Sequence, residues 1–226
     1  MIKTQNIIKI FYTNEVAKTV LSNININIKK GEYVSIAGPS GCGKTTLLII
    51  LGLIDKPTSG ELRFLDIDVT KKSGFQRAKL RKGNIGYIFK DAYLLDEMTV
   101  FENIELPLIY MKFKRKVRTI MVEQALLKHK MIHLKNRYPS QLNDEQQQKT
   151  AILRASITSP SLLLADEPTG KLQSKARDNI LNVFSKLNEE GMTIVLATHS
   201  PYISEQTPRT IRMFDGHIVT DDKLSL

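Results

Sequence analysis

Between Ile24 and Ile28 apolar and polar residues alternate, as Ile24-Asn25-Ile26-Asn27-Ile28. A period of two sends successive side chains to opposite faces, so this segment predicts a half-buried strand, closed by the turn-like Lys30-Gly31-Glu32. Tyr33 to Ala37 is a short apolar run that ends at a glycine-rich loop, and Lys44 to Leu53 then predicts a helix. Ser161 to Ala165 and Thr193 to Ala197 are further apolar runs of strand length. Between them Ile180, Leu181, Phe184 and Leu187 share one helical face, and Gly191 supplies the stop. Strands that alternate with helices predict an α/β fold, with a largely parallel sheet covered on both faces.

Two regions depart from that rhythm. From about Asp91 to Thr158 the pattern is mostly helical, with charged faces and expected breaks at Pro107 and Pro139. It reads as a helical insertion in the α/β core. Near the N-terminus, the strand signals of Ile7 to Phe11, Ile24 to Ile28 and Glu61 to Phe64 predict a small antiparallel sheet beside the core. No internal repeat or long linker divides the chain, so residues 1–226 are expected to form a single domain.

Composition narrows the class. The 226 residues are 42% hydrophobic and 25% charged, ordinary for a globular protein. No apolar run approaches the roughly 18–20 residues that span a bilayer. The opening MIKTQNIIKIFY lacks the apolar stretch and cleavage site of a secretory signal. Cys42 is the one cysteine, which excludes an internal disulfide framework and suits a reducing compartment. These features set a cytoplasmic expectation. The net charge of +10 is densest in KFKRKVR, through Lys112, Lys114, Arg115, Lys116 and Arg118. That run reads as a solvated face, with a membrane-proximal face as the alternative.

Gly38-Pro39-Ser40-Gly41-Cys42-Gly43-Lys44-Thr45 matches G-x-x-x-x-G-K-[ST], placed after a buried strand and opening a helix. The glycines let backbone N–H groups curl around phosphate oxygens without Cβ clashes. The helix N-terminus adds partial positive charge, Lys44 adds a full one, and the Thr45 hydroxyl can ligate Mg²⁺. Cys42 fills a variable position of this pattern and has no chemical role. Downstream, Leu162-Leu163-Leu164-Ala165-Asp166-Glu167 buries a strand and releases two carboxylates at its tip. Asp166 would hold Mg²⁺, and Glu167 would orient or deprotonate an attacking water.

With these residues in place, the chain resembles ATP-binding cassette (ABC) transporter ATPases, most closely the branch serving lipoprotein release and macrolide-type efflux. GPSGCGKTTLL, PTSGEL, IGYIF, TVFENIELPL, QQQ, LLLADEPTG and ATHS occur in that family's order and spacing over nearly the whole chain. The resemblance implies a P-loop core with an antiparallel β subdomain and a helical subdomain, working with a membrane permease as a homodimer or heterodimer of ATPase subunits. It implies ATP and Mg²⁺ as cofactors and a place on the inner face of the cell membrane. It extends the phosphate loop to Thr46, assigns magnesium to Asp166 and catalysis to Glu167, and makes His199 the switch histidine at the γ-phosphate. Phe11, with Tyr12 as the alternative, would stack on adenine.

The resemblance fails at three places. Lys90 stands where the family has a magnesium-ligating glutamine. Lysine has three donors and no acceptor, so it must point away from the metal or contact a phosphate. The signature L-S-G-G-Q stands here as Leu142-Asn143-Asp144-Glu145-Gln146, bringing carboxylates towards a partner's triphosphate. Asn and Asp are also strong N-caps, so this helix end could satisfy its own N–H groups. Gln173 replaces an aspartate at a cross-dimer contact. The pattern therefore predicts sound binding in cis and slow or one-sided hydrolysis in trans.

Two rival functions follow. A soluble ABC-type ATPase on DNA or ribosomes would suit the basic charge, yet the chain has no coiled coil or second cassette, so no nucleic-acid partner is expected. A regulatory nucleotide-binding protein with little turnover would suit the altered signature. His129 and His133 lie four apart, but Lys130 occupies the position where a zinc-protease helix needs glutamate.

Overall fold

The computed structural model describes residues 1–12 and 16–223. Its centre is a six-stranded sheet built from β4 (Tyr33–Ala37), β7 (Ile85–Ile88), β8 (Leu162–Asp166), β9 (Thr193–Thr198), β10 (Arg209–Phe214) and β11 (His217–Lys223). The strand order is β11-β10-β4-β9-β8-β7, and every pairing is parallel except β10 with β11. The pleat divides β8 cleanly. Leu162 and Leu164 join Leu47, Leu48 and Leu51 of helix α1 (Lys44–Leu51) in one core. Leu163 and Ala165 join Ile180, Leu181 and Phe184 of a later helix, α6 (Ser174–Glu189), in the other. Helices on both faces explain why β4, β8 and β9 are buried along their whole length.

The second sheet is antiparallel and holds β1 (Ile2–Tyr12), β2 (Ala17–Ile24), β3 (Asn27–Ile28), β5 (Ser59–Phe64) and β6 (Ile67–Asp68). Here the expected single strand Ile24–Ile28 is corrected to two. The Thr4 hydroxyl donates to the Ile24 carbonyl at 3.1 Å and accepts from the Ile26 N–H at 2.8 Å. The Asn25 side chain accepts from the Asn6 N–H at 2.8 Å and donates to the Asn23 carbonyl at 3.0 Å. These side-chain bonds, three of them to or from β1, take the place of ladder bonds where strand pairing breaks. The alternation did report burial correctly, since Ile24, Ile26 and Ile28 all lie in the core.

Three helices fill the central stretch: α3 (Val100–Tyr110), α4 (Arg115–Lys128) and α5 (Asp144–Ser156). Their shared core includes Val100, Ile104, Leu108, Val122, Leu126 and Leu153. Pro139 marks a boundary as expected, opening a short 3₁₀ turn. Pro107 does not, because α3 runs on to Tyr110; near a helix end the ring gives up one ladder bond without ending the helix. Helix α1 stops at Leu51 rather than Leu53, where Gly52 turns the chain and Leu53 adopts φ +57°. Helix α2 (Gly74–Arg81), capped by a Ser73–Gln76 box, and the short α7 (Pro201–Glu205) complete the chain.

Candidate nucleotide site

The glycine-rich loop leaves the sheet between β4 and α1. Gly41 and Gly43 hold φ of +82° and +103°, a region that side chains rarely enter. At Gly38 a Cβ would fall 2.3 Å from the Met213 carbonyl oxygen. Gly43 is also the N-cap of α1 and offers no side-chain bond, which leaves the first N–H groups of the helix pointing into the loop. Lys44 is 6% exposed and folds back so that Nζ donates to the carbonyls of Gly38 at 2.8 Å and Pro39 at 3.0 Å. Cys42 is buried in the core against which the loop rests.

At the end of β8, Asp166 is 7% exposed and its Oδ1 has no hydrogen-bond partner. Burial pushes its carboxyl above the usual carboxylate range, with Glu167 adding to the rise. A hydrogen bond from the Thr45 hydroxyl and the charges of Lys44 and Lys90 pull the other way. The next residue, Glu167, turns out of the strand at φ +47°, with its N–H donating to the Ala197 carbonyl at 3.0 Å. Its Oε1 lies 2.8 Å from His199 Nδ1 and 3.8 Å from Lys44 Nζ. One carboxylate thus ties together the phosphate loop and the end of β9.

These groups line one cavity of about 270 Å³, with Ser40, Gly41, Gly43, Lys44, Thr45, Thr46, Lys90, Asp166, Glu167 and His199 around it. Lys90 therefore faces the phosphate loop and does not point away. Gly38 and Pro39 contribute carbonyls to Lys44 and do not line the space. Phe11 also lies outside the lining; it is 45% exposed, with Lys9 Nζ 5.0 Å from its ring centre. Val20, on β2, completes the wall and carried no signal in the sequence, since its position depends on how the two sheets meet.

The altered signature is bonded within its own chain. Asn143 caps α5, with Oδ1 accepting from the Gln146 N–H at 2.9 Å and its own N–H donating to Gln146 Oε1 at 3.1 Å. Glu145 accepts from Lys149 Nζ at 2.6 Å and from Asn179 Nδ2 at 2.9 Å, and these partners hold its carboxyl below the usual range against the cost of burial. Asp144 lines a second cavity next to Lys90 and Lys171, and Lys171 pairs with Asp91. Gln173 caps α6 without a side-chain hydrogen bond.

Comparison with known proteins agrees with this geometry. The ABC transporter family model matches residues 21–170. The chain is 39% identical to the ABC transporter ATP-binding protein YvrO of Bacillus subtilis, across 99% of this chain and 97% of YvrO. It is 42% identical to the macrolide export ATP-binding/permease protein MacB of Campylobacter jejuni over 90% of this chain, which spans 32% of MacB. The ATP-binding cassette MJ0796 from Methanocaldococcus jannaschii, solved as a post-hydrolysis dimer bound to ADP and Pi, matches with a TM-score of 0.91 and 37% identity, covering 100% of this chain and 99% of that one. A phosphate loop opening α1, two carboxylates at the tip of β8 and this similarity along the full length have one reading: the chain belongs to the ABC transporter family, as an ATP-binding, ATP-hydrolysing subunit.

Proposed function

We propose that this subunit binds Mg·ATP in the cavity around Lys44, with its own residues supplying a cis half-site that is complete apart from Lys90, and that it turns ATP over slowly. The convergence of Lys44, Asp166, Glu167 and His199 on one cavity carries the reading. The loop from Gly38 to Thr46 wraps the phosphates, and Lys44 exchanges two carbonyl partners for phosphate oxygens. Thr45 and Asp166 suit Mg²⁺, because a buried carboxylate oxygen without a donor is what a hard cation needs. When bound, the ion neutralises phosphate charge. Glu167 takes the proton of the attacking water, and His199, bonded to it, fixes its orientation beside the γ-phosphate. Phe11 offers adenine an exposed aromatic face.

Slow turnover is supported by the bonds that Asn143 and Glu145 make within their own chain. In a dimer such a helix end has fewer N–H groups to offer the nucleotide of the other subunit. A homodimer would carry this defect at both sites, and a heterodimer at one. For the membrane partner, a groove of about 560 Å³ lined by Ile54, Tyr87, Phe89, Pro107, Tyr110 and Met111 suits a short permease segment. Among the described residues no helix is long and apolar enough to cross a membrane, so attachment to the inner face would run through that permease. Nucleotide titration with and without Mg²⁺, run beside phosphate release from the wild type and Glu167→Gln, tests the assignment. Binding that Mg²⁺ strengthens, with low release abolished by the substitution, is expected. Release at ordinary transporter rates would refute slow turnover, and a Glu167→Gln protein that hydrolyses normally would refute the base.

A further inference from the structure

The corner between α3 and α4 concentrates cations in a way that nucleotide chemistry does not use. From Leu106 to Val122 there is no acidic residue. Arg118 is satisfied by Glu105 at 2.7 Å and by the Phe113 carbonyl at 2.8 Å. Lys112, Lys114, Arg115 and Lys116 are exposed and form no ion pair among the described residues. Helix α4 begins at Arg115 with no acidic residue in its first turn and no side-chain cap. Cations at a helix N-terminus oppose the helix dipole and repel one another, so the arrangement is unfavourable in isolation. A nearby anionic surface would reverse that balance.

The same corner also exposes apolar side chains. Ile109, Tyr110, Val117 and Ile120 are 47%, 64%, 40% and 45% exposed, and Phe113 is 36% exposed. Val117 and Ile120 lie three apart and therefore share one face of α4. A single-stranded nucleic acid would be met by stacking aromatics, yet Tyr110 already holds Lys82 Nζ at 4.2 Å from its ring, and aliphatic side chains add nothing to phosphate recognition. A bilayer interface rewards both kinds of group at once, cations at the headgroups and small apolar side chains just below them. Tyr110 also lines the groove suited to the permease, so the corner adjoins the membrane-facing side under that reading.

We infer that the α3–α4 corner, through Lys112, Lys114, Arg115 and Lys116 with Val117 and Ile120, docks directly on anionic phospholipid headgroups. The contact adds to attachment through a permease and does not depend on nucleotide. Each cation near an anionic leaflet strengthens binding about fivefold. Co-sedimentation of the full chain with vesicles of phosphatidylcholine and phosphatidylglycerol in equal parts, against vesicles of phosphatidylcholine alone, provides the test. Binding to the anionic vesicles only, weakening as salt rises, is expected. Combined Lys114→Gln, Arg115→Gln and Lys116→Gln should reduce it about a hundredfold. Val117→Ser with Ile120→Ser, at exposed positions that leave the core intact, should remove the part that survives high salt. Circular dichroism and nucleotide binding should match the wild type in both variants. Equal binding to both vesicle types, an unaffected triple variant, or displacement from vesicles by single-stranded RNA would overturn the proposal.

Discussion

Asp166→Asn should stabilise the nucleotide-free protein while removing its response to Mg·ATP. The folded-state pKa of Asp166 is raised, with burial as the largest cause, even though Thr45, Lys44 and Lys90 oppose the rise. A carboxyl raised in this way binds protons more readily in the folded than in the unfolded state. Stability therefore falls as pH rises from the ordinary aspartate pKa through the raised folded value, and at neutral pH the ionised group is a net cost. Oδ1 is buried with no donor, and leaving such a group unsatisfied costs about 1–3 kcal/mol. Substitution by the neutral amide should recover part of that, raising Tm by roughly 2–4 °C per kcal/mol for a chain of this size. The difference should vanish at acidic pH, where the native carboxyl is also neutral. With Mg·ATP at about a hundred times its Kd the wild type gains about 2.7 kcal/mol, so the order of the two melting curves should invert. Thermal melts of both proteins with EDTA, with Mg·ATP and across pH check all three points. A variant that melts below the wild type in EDTA would show that the bond from Thr45 and the charges of the two lysines outweigh the cost of burial, and would refute a net cost of the ionised group.

Three other outcomes follow from the geometry. Lys90→Gln removes a cation from the phosphate cavity, so affinity for metal-free ATP in EDTA should drop about tenfold, equivalent to about 1.4 kcal/mol, as measured by nucleotide titration. Joint Asn143→Ser, Asp144→Gly and Glu145→Gly frees the end of α5; ATP turnover in a phosphate-release assay should rise, while helix stability drops by about 1–2 kcal/mol through weaker capping and the lost Lys149 and Asn179 bonds. Arg209→Met strips a buried guanidinium from Asp221 at 2.7 Å and Glu32 at 2.6 Å; Lys223 still faces Glu32 and Asp221 is partly exposed, so the loss should be about 1–3 kcal/mol by urea unfolding.

The fold was legible where one physical demand acted alone. The apolar run Leu162–Ala165 is buried on both faces, as is Tyr33–Ala37, whose one polar residue, Ser35, is satisfied by the hydroxyls of Thr207 and Thr210 and leaves the strand intact. Ile24–Ile28 was legible in its burial and not in its pairing, because the side chains of Asn25 and Thr4 offer backbone groups partners that hydropathy does not register. The C-terminal hairpin was missed although Asp215 and Gly216, both at positive φ, form the kind of turn that joins two strands. Its strands mix charged and apolar residues, since β11 lies at the sheet edge.

At the site, legibility follows how tightly the backbone restricts residue type. Gly38, Gly41 and Gly43 are constrained by close approach or positive φ, so the loop declares itself in the sequence. His199 is not constrained locally; its tie to Glu167 exists only because β8 and β9 are neighbours in the sheet, and resemblance had to supply the reading. The signature is the opposite case. Asn143 with Gln146 spells a capping box that could be read directly, whereas Glu145 with Asn179 joins two helices and could not. Together they show that the departure from L-S-G-G-Q is more than a loss of glycines. Bonds within the chain now occupy the N–H of Gln146 and the carboxylate of Glu145. A second subunit's nucleotide would meet a helix end whose Gln146 N–H is already taken by Asn143, and that loss of a donor, rather than any defect in the phosphate loop, would be the physical basis for the slow turnover we propose.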